Sequence, residues 1–316
     1  MPRIRINADA FKNQTWGSEW ELSNMTCEHG IKIVARHYHT EDTIVYNPNS
    51  WAHKWGCKDT KGRMWYAHVD SSVVDHGEGT CEITTPIMTY DDIEDAQQIL
   101  RDLREEGALA SSRYGCGLHI HIGAFNTTDG GVTQTGTSLR HLVNLIKSHE
   151  DILIQAINMT PSRYANGYAS KLSNDFVRRL NESRPSTIDG VKRIYNRYQA
   201  TRYVMLNYES LDDNKTVEFR FFEFHKIHAG EFKAYVQFCM ALCHYAKVIT
   251  RSSPSPIDMS NPKYMMKNWL TNMGLVGDEF KTCRKMLTKR LRGDVGSRVP
   301  RTRNADLDDL NLVTEG

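Results

Sequence analysis

The sequence predicts an α+β fold: a curved antiparallel sheet of about five or six strands with helices packed on its outer face. Three observations carry this expectation. Several short segments alternate polar and apolar residues with period two, as half-buried strands do, and their polar positions hold acids, histidines or an arginine. The segments 138–158 and 230–250 carry apolar residues at helical spacing. Residues 202–208 and 216–225 read as the two arms of a hairpin around Asp212-Asp213-Asn214.

The stretch 115–123, GCGLHIHIG, shows the alternation most clearly. Leu118, Ile120 and Ile122 share one face, and His119 and His121 share the other, about 7 Å apart along the strand. Flanking glycines let the backbone bend or a ligand come close. Two imidazoles on one face can share a metal centre or a phosphate chain. An exposed strand that happens to carry histidines fits this stretch alone equally well.

Taken in order, 14–22 (QTWGSEWEL) places Glu19 and Glu21 on one strand face and Trp20 with Leu22 on the other. Adjacent acids repel unless a cation sits between them, although a solvated edge gives the same pattern. Residues 31–69 read as short strands and turns. Within them His37, His39, His53 and Cys57 have spacings a zinc ion could use, but the paired four-ligand pattern is missing. Asp70 follows a strand-like segment, Asp75–Gly79 reads as a turn, and Glu82 sits in a β-rich run ended by Pro86. A helix is expected over 91–107, with acids in its first turn and Gly107 at its end. His141 and His149 on the 138–158 helix read as surface or boundary residues, and Cys239 with Cys243 as packing residues. Glu218 and Arg220 share a face of the 216–225 strand and could simply pair. The basic residues Arg178, Arg179, Arg184, Lys192, Arg193 and Arg197 either favour an acidic substrate or form a solvated helix face. Short helices are expected near 261–272 and 277–292, followed by a charged tail.

The bulk properties narrow the class. With 316 residues, 40% hydrophobic and 25% charged, the chain suits a folded globular protein, and a net charge of +2 demands neither nucleic acid nor an anionic membrane. The amino end lacks the apolar core of an export signal. The most apolar helical run, 235–249, is broken by Gln237, His244 and Lys247 and is too short to span a bilayer. Seven irregularly spaced cysteines then read as reduced thiols, and a cytoplasmic location is expected.

Read together, the strand-like segments bring Glu19, Glu21, Asp70, Glu82, His119, His121, Glu218 and Arg220 to one face, a cation and phosphate site. Carboxylates with one or two imidazoles suit Mg²⁺ or Mn²⁺ better than Zn²⁺, because hard cations prefer oxygen. An adjacent arginine can grip a phosphoryl group. In this order, GSEWE, HVDSS, CEITTP, CGLHIHIG, RYVMLN and TVEFRFF resemble the amidoligase family of the glutamine synthetase and glutamate–cysteine ligase superfamily, over roughly residues 15 to 240. Trp20 between the two acids and the Asp75–Gly79 insert depart from the family pattern.

The resemblance implies a glutamine synthetase-like catalytic domain, expected over 1–250; the Ser/Pro segment from Ser252 and the charged end then mark a helical extension over 251–292 and a flexible tail over 293–316. It implies an ATP-dependent carboxylate–amine ligase working through an acyl phosphate, with ATP and Mg²⁺ or Mn²⁺ as cofactors. Its partners would be small-molecule or peptide carboxylate and amine substrates. It implies metal ligands at Glu19, Glu21, Asp70, Glu82, His119 and Glu218, and places His121, Arg202, Asn207 and Arg220 about the nucleotide phosphates, with Arg220, Arg202 and His121 in catalysis. The rival readings are a metal-dependent phosphohydrolase or nuclease, and an inactive interaction module that keeps the sheet.

Overall fold

The strands are β1 (Gln14–Ser23), β2 (Val45–Asn47), β3 (Lys54–Lys58), β4 (Met64–His68), β5 (Thr80–Thr84), β6 (Leu118–Thr127), β7 (Leu206–Asn207) and β8 (Thr216–Phe222). They form one open antiparallel sheet of eight strands in the order β2-β3-β4-β5-β1-β6-β8-β7. The helices begin with α1 (Asp9–Lys12), α2 (Cys27–Tyr38), α3 (Ile93–Glu105), α4 (Gly136–Ile157), α5 (Pro161–Ala165) and α6 (Asn174–Ser183). They continue with α7 (Ile188–Tyr198), α8 (Ser210–Asp213), α9 (Ala229–Val248), α10 (Pro262–Asn272) and α11 (Lys281–Thr288). The structure is a computed structural model and describes residues 9–49, 54–127, 134–165 and 167–298.

One face of the sheet is dry. Trp16, Trp20 and Leu22 of β1, Cys81 and Ile83 of β5, Leu118, Ile120 and Ile122 of β6 and Val217, Phe219 and Phe221 of β8 are all buried there. Helices α2 and α9 lie on this face, with α3, α4 and α11 packed around α9. Enclosed by the sheet and these helices along most of its length, α9 buries residues around most of its circumference rather than along one stripe. Phe232 of α9 takes Trp16 and Trp20 edge to face, at ring-centre distances of 5.7 and 5.5 Å. Each such buried aromatic contributes about 2 kcal/mol of hydrophobic stabilisation.

Several expectations are corrected. The sheet has eight strands rather than five or six, because β2, β3 and β4 extend it beyond the strands that carry the predicted site. Residues 31–38 are helical. Ile31, Val34, Ala35 and Tyr38 are buried at i, i+3, i+4 and i+7, and this period wins over the Ile31/Ile33 alternation. The Thr26 side chain caps that helix by accepting from the His29 amide. The strand expected over 202–208 shrinks to Leu206–Asn207, with Val204 bridged to Ser170 instead, and the Asp212–Asn214 turn belongs to the one-turn helix α8. His141 is interior, with Nδ1 donating to the Ala246 carbonyl at 3.1 Å, whereas His149 is half-buried and stacks on Trp269. His53, residues 128–133 of the expected 126–136 loop, and tail residues 299–316 lie outside the described residues. Among the described residues no helix is long and apolar enough to cross a membrane.

Candidate active site

The opposite face of the sheet is polar, and the strand register decides which side chains meet. Glu21 of β1 lies across from Glu82 of β5, which lies across from His68 of β4. On the other side of β1, Glu19 lies across from His119 of β6. His121 lies across from Glu218 of β8, itself across from Asn207 of β7. Directly opposed residues stand about 5 Å apart, so residues far apart in sequence become one row. Asp70 is not on a strand: it follows β4 in a turn, with Oδ1 accepting from the Ser72 amide at 2.7 Å.

Two triads result. Glu19, His121 and Glu218 bring one ligand atom each within 4.8 Å of one another, and so do Glu21, Asp70 and Glu82. His119 stands between them: its Nδ1 donates to Glu19 Oε2 at 2.8 Å, and its Nε2 lies 3.4 Å from Glu21 Oε1. The imidazole that joins a triad is thus His121, while His119 links the two.

Neighbouring groups fix these side chains. Asn207 Oδ1 accepts from the Glu209 amide at 2.8 Å, so its Nδ2 faces Glu218 and donates to Oε2 at 2.6 Å. The other Glu218 oxygen pairs with Arg220 Nη1 at 2.5 Å. His121 Nδ1 lies 2.9 Å from Thr216 Oγ1. Its Nε2 is buried, 3.3 Å from Glu19 Oε1, and makes no hydrogen bond. Glu21 Oε2 accepts from the Gly117 amide at 2.5 Å. A Cβ on Gly117 would sit 3.1 Å from that oxygen and 3.2 Å from the Arg163 guanidinium, so only glycine lets both approach the backbone.

The electrostatics of the two triads differ. Burial pushes Glu19 and Glu218 up, but His121 beside both, with His119 and, for Glu218, Arg220, outweighs it and holds both carboxyls below the usual range. Burial likewise lowers His121, and the charges of Glu19 and Glu218 raise it on balance. Glu82 goes the other way: burial and the charges of Glu19, Glu21 and Asp70 push it up to about 9, with Arg220 opposing.

Two cavities meet at Glu19. One, of about 550 Å³, is lined by Glu21, Asp70, Glu82, His119 and Arg220 from the polar face and by Arg163, Tyr168, Arg202 and Tyr203 from outside the sheet. The other, of about 340 Å³, runs past His121 to Gly17, Pro86, Ile87 and Thr216. A larger hollow of about 910 Å³ lies at Asn174, Arg178, Arg184 and Pro254 and shares no lining residue with either triad. Of the basic helical residues, Arg178 pairs with Asp175 and Glu182, Arg179 with Glu182, and Lys192 with Asp189 and Asp212, as on a solvated helix face.

Four residues escaped the sequence reading. Thr216 orients His121. Arg163 of α5 is buried, and its guanidinium donates to the carbonyls of Cys116, Arg220 and Phe222 at 3.3, 3.1 and 3.3 Å, tying the ends of β6 and β8 together beneath the larger cavity. Tyr168 and Tyr203 are 47% and 41% exposed, lie edge to face with ring centres 5.4 Å apart, and flank the cavity with exposed Arg202. No periodic pattern marks these four, since three of them come from outside the sheet.

Clustered oxygen donors with guanidinium groups beside them suit enzymes that handle anionic substrates. Comparison with known families makes the assignment specific. A family model described as "Putative amidoligase enzyme" matches residues 12–243, and the chain belongs to that family. Membership indicates an enzyme that forms amide bonds. Both triads lie inside the matched span. A search of curated proteins finds no match to the chain.

Proposed function

We propose that the protein is an ATP-dependent carboxylate–amine ligase acting through an acyl phosphate with two divalent ions. The observation that carries the proposal is the convergence of five carboxylates and His121 from separate segments into two triads on one polar face. The donor chemistry fits the ions. Carboxylate oxygens suit Mg²⁺ or Mn²⁺, buried His121 Nε2 is left without a hydrogen-bond partner, and like charges crowd Glu82. Glu19, His121 and Glu218 would hold one ion, and Glu21, Asp70 and Glu82 the other. When bound, the ions offset the charge of a triphosphate and of an attacking carboxylate.

The chain's own residues do the rest. Arg220, held in place by Glu218, faces the larger cavity, where it meets the transferred phosphoryl group. Arg202 at the rim, whose Nη2 contacts the Tyr203 hydroxyl at 3.3 Å, closes on the acyl phosphate or the incoming amine's anionic group. The smaller cavity beyond Glu19 and His121 takes the nucleoside end of ATP, leaving the larger one for the carboxylate and the amine. His119 keeps Glu19 and Glu21 in register, and Asn207 acts through Glu218 rather than on the nucleotide.

The test is a screen of the purified protein with Mg-ATP against pairs of carboxylates and amines. ADP release that needs both partners, with an amide product seen by mass spectrometry, is expected. Glu218→Gln should lower turnover by about two to three powers of ten, a loss of about 3–4 kcal/mol of transition-state stabilisation, with an unchanged circular dichroism spectrum. Phosphate-ester cleavage without ATP would instead identify a phosphohydrolase. Calorimetry showing no Mg-ATP binding would identify an inactive module.

A further inference from the structure

Helix α2 meets strand β5 at Gly30, where a Cβ would come within 3.1 Å of Ile83 Cδ1 and 3.4 Å of Cys81 Sγ. Such an approach is open to a residue without a side chain. Cys27, the first residue of α2 and nearly one turn before Gly30, is thereby set on the strand at Thr80-Cys81, with the Cys81 thiol as the neighbour that bears most on its own. The Cys27 thiol in turn donates to the Thr80 carbonyl at 3.6 Å.

Access separates Cys27 from the remaining thiols. Cys27 is 6% exposed, whereas the other six cysteines are 0% exposed. Cys27 also lines a cavity of about 440 Å³ with Thr26, Trp55, Val69 and Gly79, which is wide enough for a molecule the size of water or peroxide. Its place at a helix N-terminus favours the thiolate. In the same direction, the neighbouring Cys81 thiol holds Cys27 below its ordinary value, while burial pushes Cys81 and Cys239 well up and Cys57, Cys116, Cys243 and Cys283 up to about 12.

We infer that Cys27 and Cys81 form a redox-modification site, in which a hydroperoxide oxidises Cys27 and Cys81 closes an intrachain disulfide. The Cys27 thiolate attacks one peroxide oxygen. The O–O bond breaks, hydroxide leaves and takes up a proton, and Cys27 becomes a sulfenic acid. The Cys81 sulfur then attacks the Cys27 sulfur; the S–S bond forms, the S–O bond breaks, and the thiol proton leaves with hydroxide as water. Two thiols lose two electrons and hydrogen peroxide is reduced to two waters. Cys81 precedes Glu82, with its own side chain on the helix face and that of Glu82 on the polar face, so the bridge acts on the strand that carries the acid triad. That consequence rests on the function proposed above; the disulfide does not.

The test is peptide mapping of the folded protein after hydrogen peroxide treatment and alkylation without reduction. The expected product is a Cys27–Cys81 cross-link reversed by dithiothreitol, with the other five thiols still free on denaturation. In Cys81→Ser, dimedone should trap Cys27 as its sulfenic acid. A map in which Cys27 stays reduced, or in which oxidation spreads evenly over the seven thiols, overturns the inference. Mn²⁺ calorimetry on reduced and oxidised protein separates the two claims. A several-fold weaker affinity after oxidation is expected, and equal affinity overturns the link to the acid triad. An absence of Mn²⁺ binding in both states counts against the proposed function and leaves the mapped disulfide standing.

Discussion

Replacing Glu82 by glutamine measures how badly the acid triad is balanced before a cation arrives. The Glu82 side chain is 12% exposed, and burial together with Glu19, Glu21 and Asp70 pushes its carboxyl from 4.5 up to about 9. Over that window the folded protein keeps a proton that the unfolded chain has lost, so stability falls as pH rises from 4.5 towards 9. Each pH unit removes about 1.4 kcal/mol, and by pH 8 the accumulated loss is about 5 kcal/mol when the whole shift acts. Glutamine keeps the shape and removes the charge. The shifts of Glu19, Glu218 and His121 act in parent and variant alike and largely cancel in the difference. In EDTA at pH 8, Glu82→Gln should therefore be more stable than the parent by about 2 kcal/mol or more, about 4 °C or more in Tm, with the gap closing towards pH 5. Added Mn²⁺ at pH 8 should raise the parent Tm strongly and the variant Tm much less. Thermal unfolding followed by circular dichroism reads both effects. Superimposable pH profiles for the two proteins in EDTA, or equal stabilisation by Mn²⁺, would refute the reasoning.

Thr216→Val removes the hydroxyl beside His121 Nδ1 and should weaken the second Mn²⁺, the one bound together with a nonhydrolysable ATP analogue, about 10- to 100-fold by calorimetry, leaving the denaturant midpoint nearly unchanged. An unaltered affinity would mean that Thr216 does not orient the imidazole. Arg163→Met strips three backbone carbonyls of a charged donor and should destabilise the protein by about 3 kcal/mol in urea unfolding. A loss under about 1 kcal/mol would show that water replaces the guanidinium at no cost.

The polar face was legible because period two needs no knowledge of neighbours. Glu19 with Glu21, His119 with His121, and Glu218 with Arg220 each declare a shared face from spacing alone. What spacing does not carry is register. His119 falls opposite Glu19 and is taken up by it, while His121 falls opposite Gly17, where no side chain fills the space, and turns to Glu218 and Thr216. That pairing is set across strands about a hundred residues apart in sequence. In helix α2 the Ile31/Ile33 spacing imitates strand alternation, while Ile31, Val34, Ala35 and Tyr38 carry the helical period that packing against β3, β4 and β5 selects. Arg163, Tyr168 and Tyr203 reach the cavity from an excursion between β6 and β8 whose sequence shows mainly charged helix surface, so nothing local separates them from their solvated neighbours.

The unequal balance of the two triads implies an order of loading. Around Glu19 and Glu218 the negative charge is met by His121, whose protonated form those carboxylates favour, and by Arg220. A cation entering there must expel the His121 proton and approach a guanidinium, and gains little until other negative charge arrives. The Glu21, Asp70 and Glu82 triad has acids on every corner; a cation there displaces the proton that mutual repulsion holds on Glu82, meets no imidazolium, and replaces that repulsion with attraction to three carboxylates. The first divalent ion should thus bind the acid triad in the absence of nucleotide. The second should come with the triphosphate, which supplies the missing negative charge beside His121. Calorimetry with Mn²⁺ alone should show one strong site, lost in Glu82→Gln and kept in Glu218→Gln, and a nonhydrolysable ATP analogue should bring the stoichiometry to two. Two equal sites before nucleotide is added, or a single site lost in Glu218→Gln, would show that local charge does not set the order.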